Sequence, residues 1–560
     1  MSCDNRFVQG VERADRELLD AEALVGHLVA PGSMFAFLAG HRQDLFPDNE
    51  FEDLFPSGKG RPSIPASVMA SIVVLQTLHD LSDRETAEAA RCDLRWKVAT
   101  GMALDHQGFD PTTLVYWRKR LAKSDRPHRI NEAVRAVVAE TGVLRGRRKR
   151  AVDSTILADA VATQDTITQL IAAIRRVARV VPDAAEAIGV VCTGHDYSKP
   201  GKPVIDWDEP GAKDALVSAL VNDANALLGA LGEGDLDEAA EPVREALTML
   251  ALVAGQDVEP ADGSDGTDGR WQIARRVAPD RVISQVDPEA RHTRKSPEAR
   301  RDGYRAHAAA EPETGIITDE ALTKAAGPEN SDAAVAEQFL AAHPTPAADV
   351  AGGDGAAAHG SGIDNIGCDE SGACEWYGDS AYGTGDFRYA IGEAGHAAVL
   401  KPKPLQSPVE DGFTVDDFIV DEQVGAVSCP AGHTRPISRT RVASFGALCA
   451  RCPLREQCTK SKTGRKIVLH QRDSLLRAAR HDWAADSELR ERYRKYRPNV
   501  ERVVSQIASR GGRRLKLRYR GTVKNHAWLT RRTAGLNLRN LIGRGLTRTA
   551  GVWVLAPQTV

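Results

Sequence analysis

At 560 residues the chain is too long for one hydrophobic core, since single cores stop growing near ~250–300 residues, so several units are expected. A formal net charge of −4 argues against a nucleic-acid partner only if the charge is evenly spread, and it is not. From Arg502 to Val560 there are 13 Lys or Arg and no acid, whereas Ile205 to Arg270 holds 16 acids against 3 bases.

The start, Met1 to Arg6, lacks a charged-then-apolar signal, and the best apolar run, Ser67 to Leu78, is too short to span a bilayer. No membrane role and a cytoplasmic location are therefore expected. Nine cysteines, four of them clustered late, suit metal binding in a reducing compartment better than a disulfide framework.

Residues 1–145 read as helical. Val68, Ile72, Val73 and Leu75 are spaced for one helix face, Ser82-Asp-Arg-Glu85 matches a capping box, and Phe109 to Thr113 announces a helix through Leu121. Arg118, Lys119 and Arg120 on that helix are candidate DNA contacts, or else solvated charges on a plain bundle. A basic run follows, with Arg147, Arg148 and Lys149, and feeds the β-branched segment Ala151 to Leu157 with Asp153 in its middle. An acid inside a strand requires a partner: an arginine of its own run, or a metal.

From Thr163 to about Leu252 leucines and isoleucines recur at helical intervals, and Gly263 to Gly269 reads as an acidic loop. Gly303 to Ala310 and Gly315 to Thr318 form a predicted hairpin. A helix over Ser331–Ala342, a Gly/Ala-rich linker to about Ser361, a strand ending at Asp379, a helix from near Asp386 and a last strand within His396–Pro404 come next. Cys429, Cys449, Cys452 and Cys458 have the spacing of a structural zinc site, with His433 in reserve, and a small domain poor in large apolar side chains needs such a staple. Pro498 suits the first turn of a helix that carries Glu501. Beyond it, bases alternate with Leu515, Leu517 and Tyr519, which offers Arg513, Arg514, Lys516, Arg518, Arg520 and Lys524 to phosphates.

Val152-Asp-Ser-Thr155, Gly378-Asp-Ser-Ala-Tyr382 and Arg497-Pro-Asn-Val-Glu501 together resemble the DDE motifs of bacterial insertion-sequence transposases, in the branch with a helical N-terminal domain and a zinc-ribbon-like cysteine insertion. The resemblance implies an α/β protein with a ribonuclease-H-like core of mixed sheet and helices. That core, residues 146–160, 295–405 and 470–545, is interrupted by an all-α acidic insertion (161–294) and a Cys-rich insertion (410–466). A helix-turn-helix-like DNA-binding domain (1–145) precedes it and a tail (546–560) follows. It also implies that Asp153, Asp379 and Glu501 hold two Mg2+ (or Mn2+) ions, that Arg497 contacts DNA, and that the partners are terminal inverted repeats, target DNA and further copies of the chain. Where the family often has Tyr-x2-Arg-x3-Glu-x6-Lys, this chain has Arg494 and Ala508 at the tyrosine and lysine positions, with Tyr493 or Tyr496 as substitutes. A structure-specific nuclease of the same fold and a non-catalytic zinc-containing DNA-binding regulator are the alternatives.

Overall fold

The computed structural model describes residues 7–10, 19–57, 60–199, 201–231, 239–276, 278, 280–294, 300–343 and 373–557. The Gly/Ala-rich stretch before Ser361 lies outside the described residues.

The N-terminal part is helical: α1 Met34–Leu45, α2 Ala66–His79, α3 Asp83–Cys92, α4 Leu94–Thr100, α5 Thr112–Lys123 and α6 Arg129–Thr141. Ser82 accepts from the Glu85 amide while Glu85 accepts from the Ser82 amide, so the capping box closes the start of α3. Every residue of α2 from Ala66 to Leu78 is buried, which no amphipathic surface helix would show.

A mixed sheet follows. Its strands are β1 Lys149–Ala158, β2 Arg291–Arg294, β3 Arg300–Ala310, β4 Ile317–Lys324, β5 Glu375–Gly378 and β6 Ala397–Leu400. The order is β6-β5-β1-β3-β4, with β2 also pairing β3; the β1-β3-β4 set is antiparallel, and β5 and β6 run parallel to β1 and to each other. Between β1 and β2 the chain makes α7 Thr166–Val180, α8 Ala184–Val191, α9 Ala212–Leu231 and α10 Glu241–Gln256, which bury a core of their own around Leu170, Ile174, Leu220 and Leu250. The Gly263–Gly269 stretch connects two three-residue strands, Val258–Pro260 and Trp271–Ile273.

Alternation along β1 and β5 assigns two faces to the sheet. Val152 and Trp376 pack under α11 Asp332–Ala341 and α12 Gly385–Glu393. Ala151 and Tyr377 join the other core, with α14 Ser487–Ala508 and α15 Thr522–Gly543, reached through α13 Asp473–Ala485.

That second core is continuous with the N-terminal helices. Leu38, Val73, Trp96 and Trp117 belong to the same buried cluster as Tyr377, Val504 and Leu538. Arg532 of α15 locks the parts together: buried, it donates to the carbonyls of Ile507, Gln506 and Ser509 at the end of α14 and to Thr77 near the end of α2. These carbonyls lie where helices leave acceptors unsatisfied and where the helix dipole favours a cation. Residues after 545 form an antiparallel hairpin, Leu546–Thr549 with Val552–Leu555, whose Trp553 packs on Phe37 and His41.

Two sequence expectations change. Pro498 lies inside α14 rather than at its start; burial of Tyr496, Val500, Val503 and Val504 on one stripe carries the helix across a residue that lacks an N–H. Among the described cysteines, Cys374 is disulfide-bonded, whereas Cys92, Cys192, Cys429, Cys449, Cys452 and Cys458 are free thiols. No helix among the described residues is long and apolar enough to cross a membrane.

Arg532→Met keeps most of the bulk but leaves those carbonyls without their donor. A loss of stability on the order of 3 kcal/mol is expected, read as a lowered denaturation midpoint; an unchanged midpoint would show that solvent or a neighbour replaces the guanidinium.

Candidate active site

The register of the sheet brings the first two acids together. Lys149 lies opposite Glu375 and Ala151 opposite Tyr377 in the parallel β1–β5 pair, so two residues further along each strand stand Asp153 and Asp379, on the face that α14 covers. Helical spacing supplies the third: Tyr493, Arg497 and Glu501 stand at i, i+4 and i+8, one turn above another on α14.

Arg497 occupies the centre. Its Nη2 lies 3.0 Å from Asp153 Oδ1 and 3.7 Å from Asp379 Oδ2, and its Nη1 lies 3.4 Å from Glu501 Oε1. The guanidinium is only 4% exposed, whereas the Asp379 and Glu501 side chains are 46% and 63% exposed, so the cluster is closed beneath and open above. Burial pushes the Asp153 carboxyl up, Arg497 and the Ser154 amide pull it down, and Asp379 and Glu501 add to the rise. Burial opposes the Arg497 charge, but Asp153, Asp379, Tyr493 and Glu501 outweigh it and hold the proton more firmly than usual. The Tyr493 hydroxyl is pushed up by burial and by the same three acids, against the pull of Arg497, which places it among them.

Each aspartate is anchored locally. Ser154 N donates to Asp153 Oδ1 at 2.9 Å, and Ala381 N donates to Asp379 Oδ1 at 2.8 Å. Through the sheet, Ser154 Oγ donates to Asp332 Oδ1 at 2.6 Å, and Arg305 pairs with the same carboxylate. Tyr382 is buried in the core with Val152 and Trp376, its hydroxyl raised first by burial and then by Asp332, Asp153 and Asp379. Tyr493 had a signal in its helical spacing from Glu501; Asp332 had none, since only the fold places it behind Ser154.

The expected DNA-contacting residues divide. Arg118 makes a two-pronged pair with Asp83, at 2.8 and 2.6 Å, and stacks over Tyr519, so a neighbour on α3 meets its charge. Arg147 and Lys149 pair with Glu313, and Arg497 serves the acids. The Arg120 guanidinium lies over the Phe55 ring. Lys119, Arg148, Arg513, Arg514, Lys516, Arg518, Arg520 and Lys524 are exposed, with Leu515 and Leu517 buried between the bases. Arg513 and Arg514 follow a tight two-residue turn at Gly511 and Gly512, both at positive φ.

Cys429, Cys449, Cys452 and Cys458 line one cavity with His433, beside a core of Phe418, Phe445 and Ile467. Burial raises the Cys458 thiol, and the other three cysteines add to the rise against Arg465. The Arg465 amide donates to Cys449 Sγ. Among the described residues no group of three or more His, Cys, Asp or Glu stands ready-spaced to hold a metal ion.

Two segments match known families: residues 428–542 match a model described as a transposase DDE domain, and residues 33–120 match a transposase domain (DUF772). The first spans Glu501 and begins after Asp153 and Asp379, neither of which it includes. No curated protein and no solved structure matches the chain. The two matches, one in the N-terminal helices and one across the segment that bears Glu501, support a DDE transposase.

Proposed function

We propose that the chain cuts and joins DNA strands at the ends of its own insertion sequence, with Asp153, Asp379 and Glu501 as the catalytic acids. The observation that carries this reading is the convergence of three carboxylates, one within β1, one just past the end of the adjacent β5 and one on a helix, on the guanidinium of Arg497. The sheet order supports a ribonuclease-H-like core, with three antiparallel strands continued by two parallel ones. On this reading residues 161–294 and 410–466 are insertions into that core and 1–145 a helical DNA-binding part.

In the first reaction an oxygen of water attacks a phosphorus in line, losing its proton; the bond to the 3′-oxygen breaks, and that oxygen takes up a proton. In the second the freed 3′-hydroxyl loses its proton and attacks a target phosphorus, and the target's own 3′-oxygen leaves and takes up a proton. Three carboxylates against one guanidinium leave negative charge unmatched, and the Nε and Nη1 atoms of that guanidinium have no hydrogen bond. Such an oxygen set would suit two Mg2+ or Mn2+ ions, which Asp153, Asp379 and Glu501 would hold. When bound, these ions supply charge neutralisation at the attacking and leaving oxygens. The chain's own part is to hold the carboxylates: the Ser154 amide fixes Asp153, the Ala381 amide fixes Asp379, and α14 sets the height of Glu501. The exposed bases around Arg513 to Lys524 bind the phosphates of terminal inverted repeats and target DNA, in the cytoplasm, within an assembly of several copies.

Structural zinc belongs to the same reading. Four thiols lining one cavity with His433, one of them accepting from a backbone amide, are the donor set that would hold it.

Asn at Asp153 or Asp379, or Gln at Glu501, is expected to abolish cleavage of terminal-repeat DNA while DNA binding persists, because the amide keeps the shape and loses the charge. Joining of the cut end to a second duplex separates a transposase from a nuclease. Because the fold raises the Asp153 carboxyl, its ionised form counts against folding above that raised value and not below the unfolded one; Asp153→Asn should therefore melt no lower than wild type at neutral pH. An active Glu501→Gln would remove that residue from the set.

Metal analysis of purified protein should find about one zinc per chain, lost in Cys449→Ser with Cys452→Ser. Fully folded wild type without zinc would end the assignment.

Replacing Arg513, Arg514 and Lys516 with Gln should reduce the log–log salt slope of DNA binding by roughly 2.7, about three phosphate contacts. An unaltered slope would mean that these side chains face something other than DNA.

A further inference from the structure

Arg497 is the one member of the site whose position the proposed chemistry does not require. A residue that serves DNA should be open to it, yet this side chain is 4% exposed and its guanidinium lies between the acids. All three of its ion-pair partners are carboxylates of the site, and two of its three nitrogens lack a hydrogen bond. A planar guanidinium fixed by shape would use its fork in paired, bidentate contacts, as Arg118 does with Asp83. Arg497 is held by charge instead. Its Nη2 touches both aspartates, the place where a cation shared by them would stand.

Two positive bodies cannot share that place. A divalent cation between Asp153 and Asp379 would face the guanidinium at a few ångströms, with little water to screen the repulsion. The helix offers some give at this point, because Pro498 directly after Arg497 removes one intrahelical N–H.

We propose that Arg497 is a stand-in for the divalent cation: in the metal-free chain it gathers the three carboxylates, and cation binding displaces it from between them toward the open side of the site. This makes Arg497 a positioning residue rather than a DNA contact of the resting protein, and it rests on the reading of the three acids as metal ligands. Metal affinity and retention of the resting geometry then oppose each other through one side chain.

The test is Mn2+ titration of the full chain, with free Mn2+ followed by electron paramagnetic resonance, for wild type, Arg497→Gln, Arg497→Lys and Asp379→Asn. Arg497→Gln should bind Mn2+ on the order of tenfold more tightly than wild type, since it removes the competing charge, and Arg497→Lys, which keeps that charge, should stay close to wild type. Equal or weaker binding by Arg497→Gln, or equal tightening in both variants, would overturn the proposal. A second measurement needs no variant and stands if Arg497→Gln does not fold. Phenylglyoxal labelling of Arg497 in wild type, read by mass spectrometry, should be several-fold faster with Mn2+ than with a chelator, and an unchanged or slower rate would sink the idea. If Asp379→Asn leaves Mn2+ binding intact, the ion lies elsewhere and the functional reading fails instead.

Discussion

Repulsion among three carboxylates is the constraint that the site and its supports are built to withstand. Left to themselves these groups would spread or take up protons, and burial of Asp153 makes the problem worse, as the rise of its carboxyl records. The fold answers in three ways. Parallel pairing of β1 with β5 fixes the two aspartates through backbone bonds that charge cannot break; backbone amides of Ser154 and Ala381 take one oxygen of each; and a guanidinium rises from α14 between them. The arrangement behind the sheet extends this support, because Ser154 is itself tied through its hydroxyl to Asp332, whose charge Arg305 meets. Asp153 is thus fixed from both faces.

The helix that brings Glu501 is in turn fixed by Arg532. A cation with no carboxylate in its hydrogen bonds is costly to bury, and burial lowers its pKa to about 10, yet four backbone carbonyls at two helix ends offset much of that cost. Asn537 makes a parallel connection from the same helix to the sheet, donating to the Ile317 carbonyl and accepting from its amide, both at 2.8 Å. Helix α15 therefore ties the sheet, the Glu501 helix and the N-terminal helices into one body.

Local signals carried much of this. An acid in a β-branched run, an acid at a strand end and a glutamate after Arg-Pro-Asn-Val were each weak alone, and their joint resemblance to DDE motifs chose the three residues that the fold assembles. The Ser82 capping box and the alternation of bases with Leu515 and Leu517 were legible because they are short-range patterns. What could not be read depends on distance along the chain. Arg118 looks like an open cation until Asp83, on another helix, is seen to hold it. Pro498 looks like a helix start because nothing nearby tells how strongly Tyr496, Val500 and Val504 are buried. Asp332 gains a role only from sheet alternation, which places Ser154 opposite it.

The packing of Trp553 on Phe37 and His41 has a consequence for how the molecule comes into being. A ribosome makes the N-terminal helices long before Trp553, part of the wall against which they finish their core, so early helices must wait with apolar surface uncovered. The waiting nascent chain is a natural client for chaperones. It also means that a chain broken off before Trp553 lacks a completed core in its N-terminal helices as well as the missing segment.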